Sequence, residues 1–531
     1  MGKGKTRSVI AIAVTFFLAG GGSPGLFAAQ QPATWLGGTG NWTDATKWST
    51  GVVPNNNATD TFDVNIDNGN LAAASVVTIG GSGGPSFTVD AVTIDAGDTL
   101  RFDWATLNTA ALTVNGTLAM GYTATVNVGG TGAVAGTGTV SFANYYNANL
   151  SAAGSTLTIE PGITIRGGQG SQSDLYPAFS PINIGSSADL LVNKGRIVSD
   201  VPGQLLTIGG SAIDNQGVLE VTAGASLGIR ANFSLAGIGT LINNGGSVVI
   251  MQTLENSGQT LPVNTAKQWT LTGTLNGGTA AGAGWMYVPY SAAATLWNVT
   301  LNTTLKINGD VGGVLAGGNG TIEINNPEAI EGSGNVYFDT IPGGITVRGG
   351  LSEQFDGDIS PGGFPGERAR VHVTTNNGRI RAQKSIFNDQ GRLRLMPGSG
   401  TTITNNGTVE VSDGGTLISL ANLTFGANSD LVVDGGGLLE VQGNLNLSSL
   451  SDFLEVLPRA DGAAYNSQLI ATYTGTLTGT FNGRTPGIVI QYATALKQIR
   501  ITGTPVPEPS SVGFIVGLVG GLACRRRRLR G

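Results

Sequence analysis

Apolar and polar residues alternate along this chain in short bursts. LTVNGTLAM, SADLLVNKGRIVSD, QGVLEVTAGASLGI, TITNNGTVEVSDGGTLISL and SDLVVDGGGLLEVQGNLNL each keep an apolar residue at every second position for a few residues, then break at Asn-Gly or Gly-Gly. A period of two sends alternate side chains to opposite faces of an extended strand, and Asn and Gly are turn formers. Long helical periodicity is missing. The pattern therefore predicts an all-β protein of short strands joined by tight turns.

Short alternating strands suit either antiparallel hairpins in a sandwich or successive rungs of a solenoid, and internal repetition decides between them. VAGTGTVSF (residues 134–142) returns as IEGSGNVYF (330–338), and GITIRGG (162–168) as GITVRGG (344–350). Further on, Gln172, Asp174, Ser180, Pro181 and NKGRI (193–197) are matched by Gln354, Asp356, Ser360, Pro361 and NNGRI (376–380), at offsets between 180 and 196 positions. A shorter phrase, Asn-x-Gly before a strand, begins at Asn193, Asn215, Asn243, Asn376 and Asn405. Glycine adopts left-handed backbone freely and Asn does so at modest cost, so the phrase predicts left-handed corners between faces of a coil. Asparagines stacked from rung to rung also predict side-chain amide ladders. The fold expected is a right-handed parallel β-helix with N-terminal and C-terminal capping segments.

Composition narrows the function. Of 531 residues 85 are Gly, and only 12% are charged. Lys3, Lys5 and Arg7, an apolar run over 9–18 and LFAA at 26–29 have the order of a cleavable export leader. At the other end stand Val506, Pro507, Glu508 and Pro509, then an apolar run of 13 residues (512–524) with four glycines, then Arg525, Arg526, Arg527 and Arg528. That run is short of the roughly 20 residues a membrane-spanning helix needs, and the arginines favour retention on the cytoplasmic side. The leader holds three basic residues and the tail five plus Glu508, which leaves about 20 basic and 33 acidic side chains between them. A net charge near −13 disfavours nucleic acid and anionic lipid as partners. Cys524, the only cysteine, lies in the tail, so neither a disulfide nor a thiol nucleophile is expected in the body.

The tail resembles the PEP-CTERM sorting signal of exported bacterial proteins. The resemblance implies an exosortase-type processing enzyme as partner, transient contact with the inner membrane through the tail, and delivery to the cell surface or outside. The repeated body is similar to the β-helical bodies of autotransporter-like and PEP-CTERM surface proteins. WLGGTGNWTDATKWSTGVVPN (35–55) resembles a module that opens such bodies, and QLIATYTGTLTGTFNG (468–483) with IVIQY and IRITG resembles their cap. The organisation expected is a signal peptide (1–29), a Trp-rich capping module (30–70), a β-helix (71–450) duplicated over about 134–217 and 330–391, a C-terminal β cap (451–504) and the sorting signal (505–531).

Catalytic chemistry is sparsely represented. His372 is the only histidine and sits in VHV, a strand context, which excludes a histidine-cluster metal site and leaves a Ser-His-Asp triad without its usual surroundings. Glu353, Asp356 and Asp358 in EQFDGD form a weak calcium candidate through oxygen ligands, against the simpler reading of a solvated loop. Asp63, Asn65 and Asp67 share one strand face. Trp285, Tyr287, Tyr290 and Trp297 are candidate glycan contacts, while Trp35, Trp42 and Trp48 read better as a cap over an open end. No cofactor is expected. The function expected is a non-enzymatic structural or adhesive protein of the cell surface or exopolysaccharide matrix, meeting exopolysaccharide or other surface proteins. A lyase or glycosidase on the same scaffold is the competing reading, because fold alone does not settle function.

Overall fold

The computed structural model describes residues 28–66, 74–81, 83–143, 148–168, 183–264, 266–289, 292–325, 335–351, 370–383, 392–449 and 451–506. Among them every regular element is a strand apart from two short 3-10 turns at Ala45–Lys47 and Thr494–Leu496. Among the described strands every pairing is parallel except the two that Gln498–Gly503 makes, and strands join into sheets of 35, nine and six members. The chain is a parallel β-helix.

Each coil visits three stacks in turn. Ser86–Ile94 illustrates this: its first part aligns Ser86 with Thr106 and its second aligns Ala91 with Ala111, while the next strand, Thr99–Asp103, pairs in the nine-stranded sheet. Alternation aims one residue in two inward, and the inward residues align between coils. One column runs Leu107, Val126, Leu150, Ile184, Ile208, Ile229, Ile250, each fully buried and each in register with the next. A second runs Leu100, Leu118, Val140, Ile165, Ile197, Leu219. Each such side chain contributes on the order of 1.5–3 kcal/mol, and stability accumulates coil by coil rather than around one centre.

The expected left-handed corners are corrected by the structure. Among the Asn-x-Gly glycines only Gly245 has positive φ, at 94°. The others are needed for close approach instead: a Cβ on Gly217 would lie 2.0 Å from the Gly195 carbonyl oxygen, and one on Gly407 would lie 2.1 Å from that of Gly378. Glycine therefore stacks on glycine at these corners because the backbone of the neighbouring coil fills the space. The asparagines do pair. Asn193 Nδ2 donates to Asn215 Oδ1 at 2.6 Å, and Asn215 Nδ2 donates in turn to the Ile238 carbonyl at 2.6 Å. Asn243 instead closes its own turn, accepting from the backbone N–H groups of Gly245 and Gly246.

The duplicated phrases keep their register but change sheet. In the first copy Thr164, Ile165 and Arg166 lie opposite Arg196, Ile197 and Val198 in the nine-stranded sheet. In the second, Thr346, Val347 and Arg348 lie opposite Arg379, Ile380 and Arg381 in the 35-stranded sheet.

The first and last described coils differ from the middle. At the N-terminal end Trp48 meets Trp35 and Trp42 edge-on at 5.0 and 4.8 Å, and all three rings are buried with their indole N–H groups donating to backbone carbonyls. At the C-terminal end pairing turns antiparallel: Gln498–Gly503 joins Ile488–Ala493 on one side and Tyr465–Tyr473 on the other. A hairpin laid across a parallel edge pairs backbone groups that would otherwise recruit another chain.

Candidate functional site

Several residues singled out from the sequence lie outside the described residues: Tyr290, Glu353, Asp356 and Asp358, and of the sorting motif Pro507, Glu508, Pro509 and Arg525 to Arg528. Val506 is described and exposed. Tyr287 is buried, and its hydroxyl accepts from Asn308 Nδ2 at 3.1 Å. Trp285 meets Tyr287 edge-on at 6.2 Å and lies under the Lys306 ammonium at 4.7 Å. Trp297 is 55% exposed and aligns with Asn276 and Val314, whereas Trp285 aligns with Ala266 and Thr304. The residues of this group thus divide between exposed and covered positions and between two stacks.

His372 stacks on Tyr337 with ring centroids 4.5 Å apart, at the end of Arg370–His372. Burial and the neighbouring Arg370 hold the imidazole below its ordinary pKa. Among the described residues no group of three or more His, Cys, Asp or Glu side chains is placed to hold a metal ion.

The most developed polar surface was not singled out by any sequence motif. It arises where outward positions of successive coils align. One column comprises Ser86, Thr106, Thr125, Asn149 and Asn183, and the next comprises Thr88, Asn108, Asn127 and Ser151. Amides link neighbours along both: Asn127 Nδ2 donates to Asn108 Oδ1 at 2.9 Å, and Asn183 Nδ2 donates to Asn149 Oδ1 at 3.0 Å. Parallel coils repeat at roughly 4.8 Å, so such columns form a regular lattice of donors and acceptors.

At one end of this lattice the surface sinks into a groove of about 370 Å³ lined by Asn127, Asn149, Ser151, Asn183, Gly185, Gly209 and Arg230, among others. Glycine makes the depression: the second column continues through Gly209, which has no side chain, to Arg230 in the next coil. Arg230 is half-buried, and its Nη1 donates to Asn183 Oδ1 at 3.5 Å. The nearby Asp189 is occupied elsewhere. Its carboxylate accepts from Ser151 Oγ and from the backbone N–H groups of Ala152, Gly154 and Ser186.

The same stack of coils carries an exposed aromatic pair at its corner. Trp104 and Tyr122 lie face to face with centroids 4.5 Å apart, Trp104 is 51% exposed, and its positive φ of 56° marks a sharp bend. Its backbone N–H donates to the Tyr122 carbonyl. Tyr122 then leads into Thr125–Val128, the strand that supplies Thr125 and Asn127 to the groove.

Charged pairs concentrate further along the rod. Glu410 accepts from Arg379 at 3.0 Å and Arg381 at 2.9 Å, and Glu323 pairs with Arg348 and Lys306. These carboxylates are nearly buried, and their partners come from neighbouring coils, so the pairs tie rungs together. Comparison of the chain with protein-family models, with curated proteins and with solved structures finds no match.

Proposed function

We propose that the chain is an exported, non-enzymatic structural or adhesive component of the cell surface or exopolysaccharide matrix, sorted and processed through its C-terminal Pro507-Glu508-Pro509 motif. The observation that supports this reading most directly is the lattice of aligned Ser, Thr and Asn side chains on the outside of an unbroken parallel stack. Such a surface works by display. A rod whose inward half is closely packed and mostly apolar holds its outward half at a fixed spacing, and a repeated array of weak polar contacts sums into avidity toward a repeating partner. The antiparallel strands at the C-terminal side fit the same reading, since a strand edge that is already paired does not recruit another chain.

Replacing Pro507, Glu508 and Pro509 by alanine is expected to leave a longer, unprocessed protein that is depleted from the surface fraction. Unchanged processing and location would overturn the sorting part. Incubation of the secreted protein with acidic and neutral polysaccharides is expected to release no ends. Appearance of reducing or unsaturated ends would replace the display reading by a carbohydrate-cleaving one, with Asp356→Asn as the first variant to make.

A further inference from the structure

We propose that the groove at Arg230 is a binding site for a sparsely charged acidic saccharide, with the guanidinium receiving a carboxylate and the Asn127, Asn149 and Asn183 amides and the Ser187 hydroxyl receiving sugar hydroxyls. The proposal rests on the reading of the chain as a displayed surface rod.

The chemistry follows from what Arg230 lacks. A guanidinium has five N–H donors in a fixed fork suited to a planar carboxylate. Here one nitrogen reaches a neutral amide oxygen at 3.5 Å, a long contact, and no lining residue of the groove is acidic. Among the described residues Arg230 has no ion pair, in contrast to Arg196, Arg379 and Arg381, which are matched by Glu220 and Glu410. Partial burial of an unmatched charge is unfavourable, so a carboxylate arriving from solution gains both the charge and the open donors.

The rest of the lining sets the ligand's other half. Amides and hydroxyls offer both donors and acceptors, as a ring bearing hydroxyls requires, and the volume lies at the small end of the roughly 300–1,000 Å³ typical of ligand clefts. Trp104 and Tyr122 stand at the corner from which the lining strand Thr125–Val128 begins, offering an exposed ring face of the kind that packs on a sugar. The overall negative charge argues against dense polyanions, whose field extends over the surface. Screening confines one isolated carboxylate to its immediate surroundings within about 8 Å.

The test is titration of the full exported protein with a neutral oligosaccharide bearing a single uronic acid, with the same oligosaccharide reduced at its carboxyl group, and with sodium sulfate, followed by calorimetry. Saturable binding of the uronate-bearing oligosaccharide is expected, at least about tenfold tighter than the carboxyl-reduced form. Arg230→Gln should weaken it by roughly tenfold or more and Arg230→Lys should restore part of the loss. Ser187 is exposed at the groove, so Ser187→Asp should weaken binding by charge repulsion with an unchanged circular dichroism spectrum and melting curve. Equal binding of the reduced oligosaccharide would overturn the role of Arg230, and equal competition by sulfate would reduce the groove to a simple anion site. Absence of binding by all three probes would overturn the site while leaving the surface location and processing of the rod, read by fractionation, untouched.

Discussion

Asn376 and Asn405 are joined inside the core by one amide-to-amide hydrogen bond, Nδ2 to Oδ1, of 2.6 Å, and neither side chain is reached by solvent. Each lies at the last position of its strand, in register one coil apart. Asn405 Nδ2 continues to the Gly407 carbonyl at 3.0 Å. Asn405→Ala removes the acceptor of a buried donor and should lower stability by roughly 1–3 kcal/mol. In a double-mutant cycle with Asn376→Ala, measured by urea denaturation, the second deletion should cost less than it does alone. Strict additivity would show that the two amides act independently.

Asp189 should govern part of the acid limb of stability. Burial pushes its carboxyl up, and the N–H groups of Ser186, Ala152 and Gly154 outweigh that effect, so it titrates below the ordinary 3.8. A carboxyl depressed in the folded state supplies stability that is complete above its unfolded pKa and is lost as pH falls through the folded value. Protease resistance around residues 151–189 should therefore decline below about pH 4. In Asp189→Asn it should be lower at neutral pH and change less on acidification. An identical acid profile in the variant would remove Asp189 from this role.

Trp48 should hold the first coils. It makes both edge contacts of the tryptophan cluster, and large-to-small changes at such buried rings typically cost about 3–5 kcal/mol. Because solenoid stability is nearest-neighbour in character, Trp48→Ala should fray one end and spare the rest. Limited proteolysis should trim the N-terminal coils and leave a resistant fragment from later coils. Global collapse would show that the rod unfolds as one unit.

Deleting residues 488–503 should raise the association state of the protein through end-to-end pairing. The deletion strips the antiparallel partner from Tyr465–Tyr473 and leaves an open row of backbone donors and acceptors. Light scattering of the variant beside the intact protein should report the association, and an unchanged mass distribution would refute the capping role.

Much of the fold could be read in advance because it is written locally. The alternation that buries Ile208, Ile229 and Ile250 is visible in their own strands, and the amide pairs at Asn193 and Asn376 follow from repetition of one phrase. The role of the corner glycines was misread because a positive φ is a property of one residue, whereas the crowding at Gly217 comes from a coil 22 positions earlier, at Gly195. The groove was invisible for the same reason. Arg230 and Asn183 are 47 residues apart, and only the stacking of successive coils brings them together. Trp104 and Tyr122 likewise meet through stacking and share no motif. Had the strands been aligned coil by coil, the outward Asn column would have been the available signal.

The two copies of the duplicated phrase keep one register while belonging to different sheets, Thr164–Gly168 to the nine-stranded one and Thr346–Leu351 to the 35-stranded one. A segment that packs equally well on either side of the prism has no preferred azimuth. The quantum of growth for this rod is then a single strand with its corner, not a full turn. A strand and corner added at one point would turn every later coil about the axis of the stack, re-aiming the sides that follow without altering a residue of them.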